Sequence, residues 1–238
     1  IVPTVYPHEI IDWNEQHVGE VDKLPGIHSE EQFAAWLKVY NRNVDKWEAM
    51  NVADSVELAH YGVHNDGETP GTDGWTFYLW NDIDCKDMKP DANGAFVKAL
   101  TEGVTFDGKG YVLHNLMLDF EHTAPSSGRV GLIGEIRGGR LRNLHLDFVT
   151  VRNMDVDTPS GCIAGRISSG QIFDCTVREA KMMCRGGVAG VLAGEMSGGD
   201  MAGCKFHGMV QAKEMQDETE WGYKKIVNGV VGRMPSDF

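Results

Sequence analysis

The chain has 238 residues, 42% hydrophobic and 24% charged, the balance of a soluble folded protein with one large or two ordinary domains. Its formal net charge of −13, with no run of lysine or arginine, argues against a nucleic acid partner, because a polyanion would be repelled. No apolar run approaches the roughly eighteen residues a spanning helix needs, so no membrane span is expected. The start, Ile1-Val2-Pro3-Thr4, shows no export signal, and the lack of an initial Met fits a processed or trimmed form, in which a removed signal would leave no trace.

Residues 1–74 read as a cap region with one amphipathic helix, about 29–41. In "HSEEQFAAWLKVY", Ser29 is placed to cap the helix and Gln32 to complete a capping box. Phe33, Trp36, Leu37 and Tyr40 fall at i, i+3, i+4 and i+7, which makes one apolar stripe. Residues 41–74 read as a long, loop-rich insertion. Within it, His60 and His64 have the i, i+4 spacing of two metal ligands on one helix face. Gly62 weakens such a helix, however, and no glutamate follows His60, so the pair reads as incidental. Asp66, Glu68 and Asp73 share a glycine-rich loop whose oxygens could hold calcium, but their spacing matches no calcium loop, and a solvated acidic loop is the simpler reading.

Residues 75–238 read as a repeat domain. "WTFYLW", Trp75 to Trp80, is a strand leading into the first coil. Asp82 and Asp84 follow in "NDIDCKD", and alternation puts both on one strand face, about 7 Å apart. Paired carboxylates at about 5–10 Å can hydrolyse glycosidic bonds, so these two are the candidate catalytic residues.

The chain then repeats itself. Gly134, Gly165 and Gly194 anchor copies at spacings of 31 and 29 residues, with turn glycines Gly139, Gly170 and Gly199 five positions on. Leu141, Ile172 and Met201 align, as do Leu144, Cys175 and Cys204, and Leu146, Val177 and Phe206. Copies start near 106, 131, 161 and 190, with an incomplete one near 229. In the first, Leu113, Leu116 and Leu118 match Leu141, Leu144 and Leu146. A fixed period in this range signals a solenoid, since no single copy can bury its own apolar face. Apolar residues alternate with the strand period, and Gly punctuates every few positions. The expected fold is an all-β solenoid: a right-handed parallel β-helix with an N-terminal α-helical cap over its open end. An unfinished last coil leaves strand edges that call for more repeats or a partner.

Arg142 aligns with Phe173 and Ala202, so no basic column is expected to grip an acidic polysaccharide. Cys175 and Cys204 stand in neighbouring coils, close enough to bond if the backbone allows, although buried free thiols are the simpler reading. No CxxC pair exists for zinc, and no cofactor is expected.

"GLIG", "CIAG" and "VLAG", with "GGRLRNLHL" and "SGQIFDCTV", resemble the GLUG-motif repeat of bacterial surface and secreted proteins, over about Trp75 to Phe238. The resemblance implies an extracellular or cell-surface location and a scaffold role. Some relatives are metallopeptidases, but the HExxH pattern is missing here. The expected function is a non-catalytic module for adhesion, or for glycan or protein binding. The alternatives are a carbohydrate-active enzyme using Asp82 and Asp84, and a structural segment of a longer repeat array.

Overall fold

The computed structural model describes residues 23–65, 74–91, 93–120, 125–126, 128–155, 158–185, 188–216, 220–225 and 231–233. It is a parallel β-solenoid of about four turns with two helices near the N-terminus. The chain visits three stacked sheets in rotation. Sheet A holds Gly74–Tyr78, Thr105–Asp107, Arg140–Arg142, Gln171–Phe173 and Asp200–Ala202. Sheet B holds Ile83–Asp84, Val112–His114 with Met117–Phe120, His145–Asn153, Thr176–Arg185 and Lys205–Gln216. Sheet C holds Ala95–Thr101, Gly131–Arg137, Ala164–Ile167, Ala193–Met196 and Val231–Arg233. Two antiparallel strands are added: Gly62–Asn65 on sheet A and Glu220–Lys225 on sheet B.

Parallel pairing in register converts the sequence repeat into interior columns. Phe77, Phe106, Leu141 and Ile172 stack through sheet A, and Met201 follows them in register but is exposed. Ile83, Leu113, Leu146, Val177 and Phe206 stack through sheet B. Leu100, Ile136, Ile167 and Met196 stack through sheet C. The interior is tight: a void among Phe33, Leu100, Phe106 and Leu141 measures only about 10 Å³.

The first copy corrects the alignment expected from the sequence. Leu113 stacks under Leu146, and Phe106 is the residue under Leu141. The reason lies at the corner between sheets A and B. Five positions separate Asp107 from Val112, whereas three separate Arg142 from His145. Lys109 (φ 54°) and Gly110 (φ 84°) absorb the two extra residues in left-handed conformation.

Among the described residues, six non-glycine residues have positive φ, and they fall at two places on the coil. Lys109, Asn143 and Asp174 turn the A–B corner, with Gly203 (φ 67°) after them. Asn115, Phe148 and Glu179 (φ 57°, 56° and 50°) bend sheet B in three successive coils. The anchor glycines form a column of their own; Gly134 is hemmed by Lys98 O of the neighbouring strand, and Gly165 and Gly194 by chain passing outside. A Cβ on Gly165 would lie 2.8 Å from Arg129 Cβ, and one on Gly194 would lie 2.3 Å from the Ser160 nitrogen. Chain returning between sheets B and C runs directly over these two glycines.

The cap forms as expected, with one residue of difference in its box. Helix α1 spans Glu30–Asn43 and Ser29 Oγ accepts from the Gln32 N–H, but Gln32 Oε1 accepts from His28 N–H, one residue before the cap. The apolar stripe closes the open end: Trp36 is fully buried, with ring centroids 5.4 Å from Phe77 and 5.1 Å from Phe106. Asn41 does more than the stripe could reveal. Its side chain donates to Phe96 O and accepts from Lys98 N–H, taking the place of a neighbouring strand beside Ala95–Thr101.

The stretch expected to be a loop-rich insertion holds a second helix, α2, at Val52–Leu58, capped by Asn51, and the Gly62–Asn65 strand. The two helices are clamped by Asp54, which accepts from Arg42 and from Asn43 Nδ2 at 2.7 Å. A short helix held by one buried carboxylate leaves only a weak apolar pattern in the sequence.

Candidate functional site

Alternation along sheet B sends Ile83, Leu113, Leu146 and Val177 inward, so their neighbours face out. Asp84, His114, Asp147 and Arg178 consequently form one outer column, in register from coil to coil. Asp82, Val112, His145 and Thr176 form a second beside it. Asp82 and Asp84 therefore share one outer face, as alternation predicts.

Their partners show what they do there. Asp82 accepts from the Val112 N–H at 2.8 Å, and His114 Nε2 stands 4.0 Å from its other oxygen. Asp84 accepts from Asn115 Nδ2 at 2.9 Å and from the Lys86 N–H at 3.1 Å. Those bonds, Asn115 first, hold Asp84 below its ordinary pKa. A glycosidase acid must keep its proton near neutral pH, and Asp84 is shifted in the opposite direction. Both carboxylates tie the first coil to the second. His145 is lowered by burial and then by Arg178, which favours a neutral imidazole.

Beside these columns lies a residue the sequence reading missed. Phe148 occupies the left-handed bend and is 56% exposed. Met117, in the coil below, is 47% exposed on the same face. Polar groups flank them: Asp147 paired to Arg178 and Asp119 paired to Arg152, each at 3.3 Å. The signal was present in the pattern. Leu146 and Val149 are inward, three positions apart, so Asp147 and Phe148 must both leave the core.

The other candidates do not join this site. His60 follows α2 and its ring lies against Tyr61, while His64 sits on the Gly62–Asn65 strand with its ring 5.0 Å from Trp75; they share no helix face. Asp66, Glu68 and Asp73 lie outside the described residues. Among the described residues, no three His, Cys, Asp or Glu side chains converge to hold a metal. A buried charge cluster at Asp107 ties two coils together. Asp107 accepts from Arg142 Nε at 3.0 Å and pairs with Lys109 at 3.5 Å, while Lys109 Nζ lies over the rings of Tyr78 and Trp80 at 4.9 and 5.4 Å. All five cysteines are free. No helix among the described residues is long and apolar enough to cross a membrane.

No family model, no curated protein and no solved structure matches the chain.

Proposed function

We propose that the chain is a non-catalytic recognition module of the GLUG-repeat kind, working outside the cell or on its surface, and that it binds a glycan through the outer face of sheet B. The observation that carries this reading is Phe148. A bulky residue in the left-handed region is a conformational outlier, and one left 56% exposed recovers little of that cost by burial. Exposed rings stack on the apolar faces of sugars, and the Asp147–Arg178 and Asp119–Arg152 pairs on either side supply directional hydrogen bonding. The columns are electrically mixed, which suits a neutral or weakly charged ligand better than a polyanion.

The test is a glycan-array screen on the purified chain, with free-sugar release followed in the same wells. The expected outcome is binding without turnover, and loss of that binding in Phe148→Asn. That variant should fold at least as well as the parent. Asn tolerates the left-handed region, and relief of about 1 kcal/mol corresponds to a Tm rise of roughly 2–4 °C in calorimetry. Sugar release that disappears in Asp82→Asn with Asp84→Asn would instead make the chain a carbohydrate-active enzyme.

A further inference from the structure

Cys175 and Cys204 sit at the same place in successive coils, each following a left-handed corner residue, Asp174 or Gly203. Register is held on both sides of them: Phe173 pairs with Ala202 and Thr176 with Lys205, and the Lys205 N–H donates to Cys175 O at 2.9 Å. Strands so paired lie about 4.8 Å apart. That spacing falls inside the roughly 4.4–6.8 Å range of Cα separations across disulfides. The sulfur of Cys204 leans toward its neighbour's coil, 3.7 Å from Ile172 O, and the Cys175 sulfur lies 3.3 Å from Phe173 O at the same corner.

From this geometry we propose that Cys175 and Cys204 are a peroxide-sensitive pair whose disulfide welds one coil of the solenoid to the next. Accessibility and acidity single out the starting sulfur. Cys85, Cys162, Cys175 and Cys184 are buried, and Cys204 is half-buried. The neighbouring Cys175 thiol lowers the pKa of Cys204, while burial raises Cys85 to about 12 and Cys184 to about 11. The Cys204 thiolate attacks one oxygen of hydrogen peroxide; an S–O bond forms, the O–O bond breaks, and hydroxide leaves to be protonated. Cys175 then attacks the sulfenic sulfur of Cys204, forming the S–S bond and releasing water. Two thiols lose two electrons in total, and one peroxide is reduced to two waters. The bridge closes a loop spanning one coil, and so prevents that coil from separating from the stack.

The experiment titrates the fully reduced chain with hydrogen peroxide, then counts thiols, maps tryptic peptides by mass spectrometry and measures Tm. The expected results are a fall from five free thiols to three, a cross-linked peptide joining Cys175 to Cys204, and a Tm rise of roughly 5–10 °C that a reductant reverses. In Cys175→Ser, a sulfenic-acid probe should label Cys204; in Cys204→Ser, thiol loss at low peroxide should disappear. Oxidation of Cys204 to sulfinic acid in the intact pair, bridging between two chains, or no thiol loss would each overturn the proposal.

Discussion

Phe148 and Asp54 show how far a single residue can depart from its local preference when neighbours fix it. Phe148 holds φ 56° because Leu146 and Val149 on either side are both fully buried, and the chain must bend to put them there. Glu179 repeats the bend one coil on. Asp54 is buried between α1 and α2, where hydrogen bonds from Arg42 and then Asn43 hold its carboxyl down at about 2, against an ordinary 3.8. A depressed carboxylate stabilises the fold above its unfolded pKa, and this contribution fades as pH falls through the folded one. Tm should therefore drop more steeply between about pH 4 and pH 2 in the parent chain than in Asp54→Asn, which carries no titrating group there. Equal acid slopes in a thermal melt series would show that the clamp contributes nothing.

At the scale of elements, the N-terminal cap solves two problems at once. Trp36, Phe33 and Tyr40 cover the apolar end of the solenoid, and the Tyr40 hydroxyl donates to Ala99 O at 2.7 Å. Asn41 satisfies the backbone of the edge strand, where open N–H and C=O groups invite pairing with another chain. Asn41→Ala is expected to destabilise by about 1–3 kcal/mol in urea unfolding, because it strands the Lys98 N–H and Phe96 C=O. It should also add a concentration-dependent associated species in sedimentation. A loss below about 0.5 kcal/mol with no association would mean that water replaces the side chain fully. The helix itself was legible from its stripe and its Ser29 cap. The role of Asn41 was not, since its partners lie more than fifty residues away and nothing in the local pattern marks them.

Across the whole molecule, stacking turns sequence position into charge pairing. Glu135, Arg166 and Glu195 follow one another up sheet C, and Arg233 continues the register. Asp147 and Arg178, and Asp119 and Arg152, do the same on sheet B. Alternating sign lets coils lie about 4.8 Å apart without repulsion, and penalises slippage by a residue. Arg166→Glu would stack three carboxylates in one column. The expected cost is about 1–3 kcal/mol in chemical denaturation, partly recovered at 1 M salt, where screening shortens to about 3 Å. A loss that salt leaves untouched would assign the effect to packing of the Arg166 stem instead.

The sequence by itself determined the coil. Its period, inward residues, turn glycines and capping helix are all local patterns or nearest-neighbour repeats, and each copy reports them independently. The Asp82–Asp84 pair was legible on the same terms, because alternation alone puts both on one face. Tertiary structure decided what depends on stacking. Two extra residues at Lys109 and Gly110 shift the first copy, so that Leu113 lies under Leu146. The same shift brings Lys109 to Asp107, Tyr78 and Trp80. Stacking also makes Asp84 a tie between coils, since its partner Asn115 arrives one coil later. It exposes Phe148 by requiring two buried residues in register on either side. A repeat fixes what each coil must bury, but hydrogen bonds between coils fix which residue stands over which, and those bonds exist only once the chain has wound round.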